Sequence, residues 1–154
     1  MCSSDLLWRV VDAIPASGRV LFAAHKSWPR PADPVMSAWN ALNCIREWRG
    51  DTHFGILLND DIGVVEAGLL HDAWMGYPKE WIPRSRGAED AEITAALDNL
   101  ESRGYVTNGV VNEAGGSYRQ ELEDRTDALC EIPWRAFGEA NTMRLDRKST
   151  RLNS

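Results

Sequence analysis

The chain has 154 residues and carries 23 acidic against 17 basic side chains, a formal net charge of −6. Sequence-independent nucleic-acid binding works through Lys and Arg neutralising phosphates, so this balance argues against it unless the basic residues gather on one face. A hydrophobic share of 44% with seven tryptophans supports a core rather than disorder, in one domain or parts of two.

Other classes fall away on local patterns. No stretch approaches the roughly 18 apolar residues of a membrane span. The opening MCSSDLLWRV has neither the basic start nor the apolar run of a secretory signal. Cys2, Cys44 and Cys130 are odd in number and match no metal spacing, which fits thiols acting as small hydrophobes in a reduced cytoplasm. There is no Gly-rich phosphate loop and no nucleophile elbow.

In chain order, Leu6, Leu7, Val10, Val11 and Ile14 predict a helix over Asp5–Ile14, closed by Pro15 and Gly18. A short helix is expected over Arg19–His25. SWPRPADP then holds three prolines and reads as a rigid extended connection, the expected internal boundary. From Pro34, Val35, Trp39, Leu42 and Ile45 fall at helical spacing, a candidate core stripe with Arg49 one turn further along, and Gly50 is the expected stop. Asp51 is expected to cap a new helix with His53 in its first turn.

Asp60 or Asp61 is the expected cap for a helix through Ile62, Val65, Leu69 and Ala73, ending at Gly76. PKEWIPRSRG reads as a helical turn broken by Pro83. Ala88–Arg103 is a helix with Ile93, Ala96, Leu97 and Leu100 on its apolar face. Asn108-Gly109 between Tyr105-Val106 and Val110-Val111 is a hairpin signal, because both turn positions need positive φ. Glu113–Cys130 is helical again, striped by Tyr118, Leu122, Thr126 and Leu129, with Arg119–Glu123 and Glu121–Arg125 at i, i+4 and Pro133 as its end. Core and helix-packing roles are expected for Trp39, Trp74, Trp81 and Trp134. The fold class predicted is mainly α with a small β-hairpin, winged helix-turn-helix-like.

The last nine residues, DRKSTRLNS, are unlike the rest. They read codon by codon as gatcggaagagcacacgtctgaactcc, which resembles the start of a short-read sequencing adapter, and a scar of that kind is kept out of fold reasoning. Without Arg147, Lys148, Arg151 and Asp146, 14 basic and 22 acidic side chains remain, a net charge of −8. The expected organisation is 1–33 as an amino-terminal helical segment left from a larger protein, 34–138 as a winged-helix-like domain, 139–145 as a tail and 146–154 as adapter.

LDNLESRGYVTNGVVNEAGGSYRQELE resembles the recognition helix, wing and following helix of MarR-type regulators. GRVLFAAHKSW, WNALNCIREWRGDTH, PKEWIPRSRG and LEDRTDALCEIPWRAFG together are similar to the carboxyl-terminal half of the bacterial SalK-type helix-turn-helix family, over about Asp5 to Gly138. That resemblance implies a chain about twice as long, so that the missing amino-terminal half becomes a partner of this one. It also implies an Arg-Gly-Asp-x-His signature at Arg49, Asp51 and His53, with His71 where many members carry His. The sequence departs from the pattern at Gly87-Ala88, where a Trp and a hydroxyl cap are usual.

The amino-terminal part of a third helix enters the major groove in DNA-reading winged helices. Here it is Ala88-Glu89-Asp90-Ala91-Glu92, and the wing Thr107-Asn108-Gly109 has no cation, which argues against DNA as a partner. A candidate ligand-binding set is Arg49, Asp51, His53, Glu66 and His71: His is a frequent metal ligand and general base, and Asp51 could orient it. The competing structural reading has Arg49 paired with a carboxylate, Asp51 capping and His53 half-buried. No metal site is predicted, and catalytic residues, cofactor and reaction stay open. The expectation is a structural or interaction module; the alternatives are a small-molecule binder or enzyme, and a MarR-like transcriptional regulator.

Overall fold

The computed structural model describes residues 3–143. They include seven helices, α1 (Ser3–Ala13), α2 (Val20–Lys26), α3 (Pro34–Asn59), α4 (Val64–Met75), α5 (Trp81–Ser85), α6 (Asp90–Ser102) and α7 (Glu113–Phe137), and residues 139–143 are helical as well. One antiparallel hairpin, β1 (Val106–Thr107) and β2 (Val110–Val111), lies between α6 and α7. Two compact units result: the first takes the described residues up to Thr52 and from Thr126 on, the second is His53–Arg125. The division therefore falls inside α3 and inside α7. The adapter-like residues 146–154 and Cys2 lie outside the described residues.

The first unit is built on α1, whose Leu7, Val10, Val11 and Ile14 pack with Phe22 of α2, Ala41, Cys44 and Trp48 of α3, and Cys130 and Phe137 of α7. The segment before Pro34 thus shares one core with α3. Two buried indoles are fixed by hydrogen bonds: Trp8 Nε1 donates to Ser37 Oγ at 2.9 Å and Trp48 Nε1 to the Pro15 carbonyl at 3.1 Å. Each also lies under a guanidinium at 4.0 Å, Arg30 over Trp8 and Arg19 over Trp48. Asp33 starts α3 by accepting from Val35 N and Met36 N at 3.1 and 2.8 Å.

Several sequence expectations are corrected here. Gly50 does not stop a helix and Asp51 does not begin one, because α3 runs through both; Trp48 and Thr52 are buried around them, and Thr52 Oγ1 bonds back to the Trp48 carbonyl at 2.8 Å. Pro133 does not end α7. A proline inside a helix costs about 3 kcal/mol, and burial of Pro133 itself, with Cys130 and Phe137, opposes that cost. The stripe predicted for the core of α3 is largely outside: Val35 is 76% exposed, Trp39 60% and Leu42 41%, and only Ile45 is buried. Leu129 is exposed on α7, and Trp74, Trp81 and Trp134 are partly exposed, so Trp8 and Trp48 are the core tryptophans.

The second unit is the winged-helix part. Leu69 and Leu70 of α4, Ile93, Ala96 and Leu100 of α6, Val106 of β1, and Tyr118 and Leu122 of α7 make its core. Neither Asp60 nor Asp61 caps α4. Gly63 holds that position, its N–H donating to Glu66 Oε2 at 2.5 Å, while Asp60 is engaged by Arg125. Gly76 ends α4 at φ 68°, as its sequence position predicts.

Asp72, buried in the last turn of α4, accepts from Ile82 N with both oxygens at 3.2 and 3.1 Å and so fixes the start of α5. The helix α6 opens at Glu89, whose N–H donates to Glu92 Oε2 at 2.9 Å, the bond by which the third residue of a capping box reaches back to the helix start. Ile93, Ala96 and Leu100 are buried and Leu97 partly so. The hairpin pairs Val106 with Val111 and turns through Asn108 (φ 51°) and Gly109 (φ 72°), the geometry of the predicted Asn-Gly turn. Asn112 then starts α7 by accepting from Gly115 N at 3.0 Å. A Cβ on Gly115 would lie 2.4 Å from the Tyr105 carbonyl oxygen, so only glycine lets α7 come this close to the hairpin. Tyr105 and Tyr118 stack across the contact at 4.6 Å.

Candidate functional site

The second unit presents α6 and the β1–β2 turn as a helix-plus-wing surface. The first turn of α6 exposes Glu89, Asp90 and Glu92. Acidic residues there complement the partial positive charge of a helix start. The nearest cation, Arg84, is occupied: it donates to Glu80 Oε2 at 3.0 and 2.6 Å and to Asp90 Oδ1 at 2.8 Å. The Arg84 guanidinium in turn holds the Glu80 carboxyl below the usual carboxylate range. Arg86 is exposed beside this turn. At the wing, Thr107 and Asn108 are exposed, Asn108 N donates to Glu101 Oε1 at 3.1 Å, and no Lys or Arg occurs between Tyr105 and Val111.

The residues singled out by the Arg-Gly-Asp-x-His pattern have these surroundings. In the first unit, Arg49 donates to Asp127 Oδ1 at 2.8 Å. Asp51 accepts from Leu21 N at 3.3 Å and Phe22 N at 2.9 Å, so it caps α2 rather than a helix of its own. In the second unit, His53 is half-buried on α3. Glu66 is buried, accepting from Gly63 N with one oxygen and from Asn99 Nδ2 with the other.

His71 lies 2.8 Å through Nδ1 from Arg119 Nη2, with the Trp74 and Tyr77 rings at 5.8 and 6.1 Å. Burial, then the Arg119 charge, push the His71 pKa down, so the ring is neutral and Nδ1 is the acceptor. Among the described residues, no group of three or more His, Cys, Asp and Glu is placed to hold a metal ion.

Arg119 is the functional-looking residue that sequence reading passed over. Its pairing with Glu123 reads as a surface i, i+4 bridge, and the bridge exists at 2.5 Å, yet Arg119 is only 4% exposed. It also lies over the Trp74 ring at 4.8 Å, and its Nη1 is buried without a hydrogen-bond partner among the described residues. The available signal was tertiary: a His and a Trp at i, i+3 on α4 offer an acceptor and a π-face to one cation. Asp60 forms a second, partly buried polar cluster, gripped by Arg125 at 2.5 and 2.9 Å and by Tyr118 Oη at 2.9 Å.

Helices α4, α5 and α6 followed by the hairpin are the class-defining order of a winged helix-turn-helix. Residues 3–154 match a helix-turn-helix family, and the chain belongs to that family. Neither the comparison with curated proteins nor that with solved structures gave a match. No helix among the described residues is long and apolar enough to cross a membrane.

Proposed function

We propose that the winged-helix unit is a structural or protein-contacting module rather than a DNA reader, within the SalK-type branch that the Arg46–His53 text resembles. The observation that carries this reading is the first turn of α6. A groove-entering turn must offer donors to phosphates and base edges, and this one exposes three carboxylates, Glu89, Asp90 and Glu92, beside an arginine already shared between Asp90 and Glu80. The partners it implies are proteins, among them the amino-terminal half that the resemblance predicts.

The test is titration of random duplex DNA at several salt concentrations with a chain ending at Leu145, so that Arg147, Lys148 and Arg151 add no binding of their own. Ordinary non-specific affinities of about 10⁻⁴ to 10⁻⁶ M come from cation–phosphate contacts, and none is expected here. Micromolar binding that weakens steeply with salt would overturn the reading in favour of a regulator.

A further inference from the structure

We infer that the contact between His71 and Arg119 is a proton-operated latch between α4 and α7, closed while the imidazole is neutral and opened when Nδ1 takes a proton. This goes beyond the proposed function, since the latch lies within the second unit and needs no partner. The chemistry of the pair dictates its sign. A guanidinium only donates hydrogen bonds and keeps its charge inside a protein, so across the 2.8 Å contact Arg119 Nη2 donates and His71 Nδ1 accepts. With Nε2 carrying the proton of the neutral ring, Nδ1 is the one place for a second. Its arrival sets two N–H donors and two positive charges face to face.

Arg119 has little room to yield to that proton. It is 4% exposed, its Nη1 lacks a hydrogen-bond partner among the described residues, and its Nη2 also donates to Glu123 Oε1 at 2.5 Å. The charged groups acting on His71 are Arg119 and Glu123 on α7, Asp72 beside it on α4, and Arg86 just after α5. Both carboxylates are already engaged, Glu123 by Arg119 and Asp72 by the Ile82 N–H through both oxygens. The imidazole, half-buried, is therefore the side chain that moves. Trp74, three residues further along α4, lies over the same guanidinium at 4.8 Å and donates from Nε1 to Gln120 Oε1 of α7 at 3.0 Å, so the two α4 side chains on Arg119 are released together. Burial, then the Arg119 charge, hold the His71 pKa below its ordinary value, so the folded chain resists a proton that the unfolded chain accepts. The stability this contact contributes is complete above about pH 6.5 and is lost as pH falls below it.

NMR titration of the full 154-residue chain tests this. The imidazole nitrogens and indole N–H groups are followed from about pH 8 to about pH 5, the range over which histidines change charge, with His71→Asn and Trp74→Phe assigning the two resonances. His71 is expected to titrate on Nδ1 with a midpoint below about 6.5, and the Trp74 indole N–H resonance to move with the same midpoint. His71→Asn keeps an uncharged acceptor and takes no proton, so Trp74 should stop responding over that range. Arg119→Gln should return the His71 midpoint toward about 6.5. A His71 midpoint at or above the ordinary value, a Trp74 response that survives His71→Asn, or a His71 titration that leaves Trp74 unmoved would each overturn the latch. Should Arg119→Gln fail to fold, the His71→Asn comparison decides alone.

Discussion

In each unit a short helix begins on a carboxylate borrowed from a longer one. Asp51 of α3 holds the first turn of α2, and Asp72 of α4 holds that of α5. The surroundings differ. Asp72 is 2% exposed and inside its unit, whereas Asp51 is half-buried and one of its two bonds is long at 3.3 Å. The backbone contrasts in the same way: Gly115 in the second unit sits against a carbonyl, while a Cβ on Gly50 in the first would meet nothing nearer than Glu47 Oε2 at 3.7 Å. One chemical device therefore carries different weight according to how much water and space surround it, and residue type alone does not reveal which.

The largest expected effect comes from a glycine of the second unit, and the glycine compared with it in the first should act with the opposite sign. Gly115→Ala drives a methyl into the Tyr105 carbonyl and should cost at least about 2–3 kcal/mol, read as a lowered thermal midpoint. Gly50→Ala, in an ordinary helical position, should stabilise by about 0.5–1 kcal/mol. A loss at both positions, or at neither, would erase the contrast between the units.

The two aspartates should separate by less. Asp72→Ala removes a buried cap and leaves the Ile82 N–H without a partner, for about 2 kcal/mol; Asp51→Ala should cost about 1 kcal/mol because water reaches the α2 turn. Chemical denaturation of the two variants side by side makes the comparison. Equal losses would show that burial does not set the weight of these caps.

A further effect is pH-dependent and confined to the second unit. Hydrogen bonds from Arg125, with help from Asn59 and Tyr118, hold the Asp60 carboxyl well below its ordinary range. A carboxyl depressed in the folded state contributes stability that is complete above its unfolded pKa near 4 and is lost as pH falls below it. Asp60→Asn should therefore cost about 1–2 kcal/mol at pH 7, tempered because Arg125 is partly exposed, and should flatten the decline between about pH 4 and 2. An unchanged acid-side slope in the variant would assign that decline to other carboxylates.

The parts of the fold legible in sequence were those fixed by neighbours a few residues apart. The Asn108-Gly109 turn, the apolar face of α6 at Ile93, Ala96 and Leu100, the Gly76 stop and the start of α3 at Pro34 all follow from local backbone chemistry. What misled was chemistry whose partner is distant. Asp51 was recognisable as a cap, but the amides it satisfies lie about 30 residues earlier. Asp60 had a plausible helix to cap at hand, yet Arg125 claims it from 65 residues away. Val35, Trp39 and Leu42 have the spacing of a core face, and spacing cannot say which of two apolar faces of α3 the fold covers. For the candidate site, Arg49 paired with a carboxylate and a half-buried His53 were within reach of the sequence; the burial of Arg119 against His71 and Trp74 depends on two helices meeting and was not.

Trp8 and Trp48, each clamped between a hydrogen-bond acceptor and a guanidinium, give the chain an optical asymmetry. Both belong to the first unit, while Trp74 and Trp81 of the second are partly exposed. Blue-shifted, quencher-resistant emission thus comes from one unit and red-shifted, quencher-accessible emission includes the other, so a single fluorescence spectrum followed through denaturation distinguishes which unit opens first.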